Sequence, residues 1–136
     1  MIPAVHFVGK SGTGKTTLIE VIIQKLKERG FKVAVIKHAH HGFEMDKPGK
    51  DSWRFGQAGS DMVAISSPGK LAMIEKVDEE LNFEQVINRL GDRFDIVLVE
   101  GFKQTSKVKI EVTGSEKVED ISKMVDFISS QVSRYK

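Results

Sequence analysis

Eight residues near the start of the chain, Gly9-Lys10-Ser11-Gly12-Thr13-Gly14-Lys15-Thr16, follow the spacing Gly-x-x-x-x-Gly-Lys-Ser/Thr. No other stretch restricts the fold as much. The pattern is a phosphate-binding loop, a P-loop, only when a strand leads into it and a helix leads out. Both are present in the sequence. Residues 2–8 form an apolar run suited to a buried strand, and 17–29 carry apolar residues at helical spacing. The chemistry of a triphosphate accounts for each residue type. Glycines let the backbone curl so that several N–H groups point at phosphate oxygens, and the helix that follows favours an anion at its N-terminus. Gly9, Lys10, Ser11, Gly12, Thr13, Gly14, Lys15, Thr16 and Thr17 are therefore the candidate nucleotide-binding residues. Lys15 is a mobile charge for the β- and γ-phosphates, and the Thr16 hydroxyl is a ligand for Mg²⁺.

The strand–loop–helix start sets the expectation for the remaining residues. Leu18, Ile19, Ile22, Ile23 and Leu26 line one face of the first helix, and Gly30 stands where a C′ glycine would end it. Residues 32–37 read as a second strand, which completes a parallel βαβ unit. A polar loop, 38–50, follows, and Asp51 is placed to cap a short helix that runs to about Ala58. Residues 62–66 and 71–75 read as an antiparallel hairpin, with Pro68-Gly69 at the centre of a type II turn. A helix is expected over 82–90 and a last one over 118–133. The run 95–100 does not alternate, which marks a strand buried on both faces. Residues 108–112 do alternate, which marks an edge strand with one wet face. The sum is an α/β fold of the P-loop NTPase type, three-layered α/β/α, with a mostly parallel sheet and one antiparallel hairpin. No linker divides the 136 residues, so a single nucleotide-binding domain over 1–136 is expected.

Composition narrows the partners. A net charge of +2 gives no argument for nucleic acid or for a membrane surface. No apolar run approaches the ~18 residues that cross a bilayer. The first residues lead straight into the P-loop strand, which points to a cytoplasmic protein without a signal peptide. The chain has no cysteine, so disulfides, thiolate metal sites and a cysteine nucleophile are excluded.

A triphosphate site needs a carboxylate near the metal. The strand 95–100 offers Asp95 and Glu100, roughly 16 Å apart at ~3.3 Å per residue. Ligands sit at the carboxyl ends of parallel strands, which selects Glu100 as metal-side and catalytic carboxylate, alongside Lys15. A second dense patch follows the second strand: His38, His40, His41, Asp46, Lys47 and Lys50. It admits three readings. Asp46 could approach Mg²⁺ while the histidines and lysines meet a second phosphorylated ligand. The imidazoles and a carboxylate could hold a structural metal, although His-x-His-His is not a usual zinc spacing. Or the loop is simply solvated.

Several blocks in this order resemble the molybdopterin-guanine dinucleotide biosynthesis protein B family: the P-loop, Ile36-Lys37-His38-Ala39-His40-His41, Asp46-Lys47-Pro48-Gly49-Lys50-Asp51-Ser52, Ala58-Gly59, and Val97-Leu98-Val99-Glu100-Gly101-Phe102-Lys103. The likeness runs from residue 1 to about 112. It implies a homodimeric GTP-binding accessory protein with weak GTPase activity. Its partner would be the nucleotidyltransferase that joins GMP to molybdopterin, and molybdopterin itself becomes a candidate ligand. It also implies that Gly12, Gly14, Lys15, Thr16 and Thr17 bind phosphates and Mg²⁺, with Asp46 and Glu100 around the metal. One departure matters. The family's further hydrophobic strand before the last helix has no counterpart, because Val112 runs through Thr113-Gly114-Ser115-Glu116 into that helix. No Asn-Lys-x-Asp guanine-reading motif is present either, so loose discrimination between GTP and ATP is expected.

Other readings of the P-loop remain open at this point. A small-molecule kinase uses the same loop but needs an arginine-bearing lid, and the five arginines here are scattered. A regulatory NTPase would need only the loop and a partner. Lys10, at the loop's second position, resembles the lysine by which some dimeric NTPases reach the neighbouring nucleotide; otherwise it is a solvated lysine.

Overall fold

The computed structural model describes residues 2–10, 12–39, 42–43, 45, 47–102 and 108–135, with the side chains of 133–135 left aside. The chain forms two compact units. One comprises residues 1–38 and 82–136, the other residues 39–81.

The first unit is built on a four-stranded, wholly parallel sheet in the order β2-β5-β1-β6. Its strands are β1 (Ala4–Val8), β2 (Val33–Lys37), β5 (Ile96–Glu100) and β6 (Lys109–Glu111). Alternation along the strands divides the core in two. Val5 and Phe7 of β1, Ile96 and Leu98 of β5 and Ile110 of β6 face helices α1 (Lys15–Glu28) and α4 (Val118–Tyr135). Val97 and Val99 of β5, with Ala34 and Ile36 of β2, face α3 (Phe83–Leu90). The central β5 is buried on both faces because its four residues Ile96–Val99 are all apolar. The edge strand β6 buries only Ile110. Helix–sheet–helix is the three-layer arrangement that its sequence pattern predicts.

Local chemistry fixes the helix ends. Gly30, at φ 88°, closes α1 as a Schellman motif: its N–H bonds the Lys27 carbonyl and the Phe31 N–H bonds that of Leu26. Asn82 begins α3 with a reciprocal capping box. Its side chain accepts from the Gln85 N–H at 2.8 Å, and the Gln85 side chain accepts from the Asn82 N–H at 2.9 Å. His6 lies in the core at 1% exposure, its ring tilted against Phe83 with centroids 5.3 Å apart. Burial, and secondarily the Lys109 ammonium, push its pKa below the usual value.

The second unit carries α2 (Asp51–Gln57) and the antiparallel pair β3 (Met62–Ser66) and β4 (Leu71–Glu75), a two-stranded sheet of its own. Two local expectations are corrected here. Lys50, not Asp51, is the N-cap of α2; Asp51 is the first helical residue, and its carboxylate accepts from the adjacent Ser52 N–H. The Pro68-Gly69 link is not a type II turn, because Gly69 lacks the positive φ that such a turn needs. The strands are joined instead through the Lys70 carbonyl, which accepts from both the N–H and the hydroxyl of Ser67.

Candidate functional site at the carboxyl edge of the sheet

The P-loop leaves β1 after Val8 and turns into α1 at Gly14, the N-cap, in left-handed conformation at φ 81° and ψ 23°. A side chain there would meet the steric cost that glycine avoids. The loop is drawn closed by the Lys10 carbonyl, which accepts from the Thr13 N–H at 3.3 Å and the Thr13 hydroxyl at 2.7 Å. The first turn of α1 contains no acidic residue, so no carboxylate of its own neutralises the positive end of the helix.

Lys15 and Glu100, distant in sequence, meet beside this turn. The Lys15 ammonium donates to the Gly9 carbonyl at 2.9 Å and lies 3.9 Å from Glu100 Oε1. Both side chains are 19% exposed. At that separation the carboxylate is an electrostatic neighbour, not a hydrogen-bond partner. Among the described residues the ammonium has one hydrogen-bond acceptor, the Gly9 carbonyl, and can turn from it toward an arriving phosphate.

Glu100 is positioned by its strand. Its Cα is in register with Phe7 of β1 and Lys37 of β2, and its carbonyl accepts the His38 N–H at 2.9 Å. Gly101 then turns the chain at φ 99°. A Cβ there would lie 2.8 Å from the His38 carbonyl oxygen, so the close pairing of the two strand ends requires glycine. The His38 ring packs on Phe102, centroids 4.7 Å apart, and Phe102 meets Phe83 edge-on at 5.8 Å. His38 is thus tied to the end of β5 by backbone and ring contacts. Its sequence neighbourhood singles it out, whereas Phe102 and the tight fit at Gly101 gave no such signal.

The remaining candidates are distributed as follows. Gly9, Lys10, Gly12, Thr13, Gly14, Thr16 and Thr17 lie on the loop and the first turn of α1, with the Thr16 and Thr17 side chains exposed. Lys47 and Lys50 belong to the second unit, where both are exposed and the Lys50 N–H bonds the Lys47 carbonyl at 3.2 Å. Ser11, His40, His41 and Asp46 lie outside the described residues. Among the described residues, no group of three or more His, Asp or Glu is gathered to hold a metal, and no helix is long and apolar enough to cross a membrane.

A parallel sheet whose first strand runs through Gly-x-x-x-x-Gly-Lys-Thr into a helix, with a carboxylate at the end of the neighbouring strand, defines a P-loop α/β protein. Comparison with known proteins narrows this. The sequence model of MobB, molybdopterin guanine dinucleotide synthesis protein B, matches residues 4–130. A molybdopterin-guanine dinucleotide biosynthesis adapter protein of Haemophilus influenzae is 35% identical over 135 residues, 98% of this chain and 76% of the relative. Its Escherichia coli counterpart is 40% identical over 113 residues, 81% of this chain and 65% of the relative. Among solved structures, Bacillus subtilis MobB superposes with a TM-score of 0.68 at 31% identity, covering 90% of this chain and 73% of that one. The crystal structure of a molybdopterin-guanine biosynthesis protein B gives a TM-score of 0.70 at 27% identity, covering 96% and 99%. The chain belongs to the MobB family, whose role lies in molybdopterin guanine dinucleotide biosynthesis. The match runs to residue 130, beyond the limit of about 112 expected from the sequence blocks.

Proposed function

We propose that the protein binds GTP with Mg²⁺ at the carboxyl edge of its parallel sheet and serves as an accessory to the nucleotidyltransferase that attaches GMP to molybdopterin. The observation that carries this is the meeting of Lys15 and Glu100 over an α1 N-terminus free of acidic residues, within a chain of the MobB family. Backbone N–H groups of Gly12 to Thr16 cradle the phosphates, and Lys15 leaves the Gly9 carbonyl to neutralise the β/γ oxygens. Thr17 closes on the α-phosphate.

The donor set fits Mg²⁺: one hydroxyl, Thr16, and one carboxylate, Glu100, are hard oxygen ligands. Such an ion keeps most of its waters and takes the rest of its shell from phosphates. Asp46 is the further oxygen ligand that the sequence offers. When bound, the ion supplies charge neutralisation across the β- and γ-phosphates. Lys15 supplies the protein's share of that neutralisation. Glu100 can orient a water only when it is not held in the metal's shell, and in the sequence no arginine lies in or next to the P-loop. Intrinsic hydrolysis is therefore slow, below the ~1 s⁻¹ of ordinary enzymes. The protein acts as an adapter in the cytoplasm, as a homodimer, and the sequence loop carrying His38, His40, His41, Lys47 and Lys50 is its candidate for a second phosphorylated ligand such as molybdopterin.

The test is capture of the purified nucleotidyltransferase on immobilised protein with GTP and Mg²⁺, with GDP, and without nucleotide. Capture that depends on GTP, with turnover below one per second, is the expected result. Multiple turnover at tens per second, or phosphoryl transfer to a small acceptor, overturns the adapter reading.

A further inference from the structure

The P-loop accounts for phosphates and leaves the base unassigned, since the sequence holds no Asn-Lys-x-Asp motif. The structure contains a cleft in the right place. It opens between the first turns of α1 and the loop that joins β6 to α4, has a volume of about 340 Å³, and is walled by Thr17, Leu18, Val21, Gly114, Glu116 and Ile121. That volume is within the range of small-ligand pockets. Its near wall, Thr17, is the residue at which the α-phosphate would leave the P-loop, so a nucleoside attached there meets the cleft directly. Leu18, Val21 and Ile121 offer apolar contact to an aromatic base.

The far wall carries a fixed carboxylate. Glu116 reaches back over its own loop: Oε1 accepts the Gly114 N–H at 2.9 Å, and Oε2 accepts the Thr113 hydroxyl at 2.8 Å. The Thr113 N–H lies 3.0 and 3.2 Å from the two oxygens. Gly114, at φ 90°, presses against the P-loop so closely that a Cβ would lie 3.1 Å from the Thr13 carbonyl oxygen. The loop therefore holds Glu116 at a set distance from the phosphate cradle. The same hydrogen bonds, from the Thr113 hydroxyl first, hold its pKa below the usual carboxylate value, and the group stays charged at neutral pH. Four donors meet the carboxylate, the Thr113 hydroxyl and N–H, the Gly114 N–H and, contributing least, the Glu116 N–H; the N1–H of a base competes with the last of these for one of the carboxylate's about four acceptor positions.

We propose that this cleft takes the purine of a nucleoside triphosphate, with Glu116 selecting guanine or hypoxanthine over adenine by accepting the base's N1–H. The inference rests on the phosphate-binding role of the P-loop. Guanine and hypoxanthine carry a hydrogen on N1; adenine presents a lone pair there, which the carboxylate repels. Thr113 and Gly114 are positioning residues, and Glu116 is the group that touches the base. Since the cleft is open to water, selection is moderate, roughly tenfold, because solvent and salt screen an exposed charge.

The experiment is equilibrium titration of GTP, ITP and ATP with Mg²⁺ into the full chain and into Glu116→Gln. Wild type is expected to bind GTP and ITP alike and ATP about tenfold more weakly. In Glu116→Gln the amide can accept from guanine or donate to adenine, so GTP weakens while ATP tightens and the ratio collapses toward one. A loop that is merely loosened would weaken both together, and that result overturns the proposal. If the variant does not fold, the wild-type series decides alone. Equal affinity for all three sinks the base assignment and leaves the phosphate site standing, whereas binding of none of them sinks both.

Discussion

The two ends of β5 carry the same kind of group put to different use. At the amino end, the Asp95 carboxylate accepts the Lys32 N–H at 2.8 Å, and the Asp95 N–H donates to the Lys32 carbonyl, also at 2.8 Å. It is a staple that holds the start of β2 to the start of β5. At the carboxyl end, the Glu100 side chain makes no such short bond among the described residues. It stands 3.9 Å from Lys15 above the P-loop, at the strand end where α/β sheets bind their ligands. Asp95 immediately precedes the strand and Glu100 ends it, and on the proposed reading the end of the parallel sheet at which each stands separates structural work from ligand work.

Lys15→Ala is expected to have the largest effect on that contrast. It should weaken GTP by about 100-fold or more, some 2.7 kcal/mol, in a calorimetric titration. Urea unfolding should change by less than ~0.5 kcal/mol, as for a surface side chain. A large loss of stability with binding intact would reverse the assignment.

Next in size is Gly101→Ala. The positive φ and the approach to the His38 carbonyl are expected to cost on the order of 1–3 kcal/mol of stability, measured by urea denaturation. A neutral result would show that the β5–β2 junction is looser than its 2.8 Å fit.

A smaller effect is expected of pH through His6. Its folded pKa lies below the 6.5 of the free side chain, so the unfolded chain takes up the proton first as pH falls. The contribution is complete above about pH 6.5 and is lost progressively below it, down to the depressed folded value, where the loss levels off. Denaturation midpoints measured between pH 7.5 and 5 should show this decline, and His6→Leu should flatten it. An unchanged slope in that variant would move the titration to another group.

Much of this contrast could be read in the sequence. The helical spacing of Leu18, Ile22 and Leu26 and the unbroken run Ile96–Val99 are signals of burial, and burial is what packs them. The preference for Glu100 over Asp95 needed only the strand direction. Other features depend on atoms that meet across the fold. Neither Pro68-Gly69 nor Asp51 announces its true geometry, because each sequence suits two local solutions and the neighbouring chain selects one. Thr113 and Glu116 have a capping-box spacing, yet the helix starts at Val118 and their bonds close a loop instead. The two strand-like runs 62–66 and 71–75 with Pro68-Gly69 between them give a hairpin, but not that it forms a sheet separate from the main one.

The most direct measurement of the central claim is the Mg²⁺ dependence of GTP affinity in Glu100→Gln and Asp95→Ala, titrated side by side with wild type. Glu100→Gln should lose about tenfold of the gain that Mg²⁺ gives wild type, with stability unchanged. Asp95→Ala should keep the full Mg²⁺ response and lose about 1 kcal/mol of stability, the worth of its hydrogen bond. Loss of the Mg²⁺ response in Asp95→Ala, with Glu100→Gln behaving as wild type, would contradict the placement of the nucleotide at the carboxyl edge.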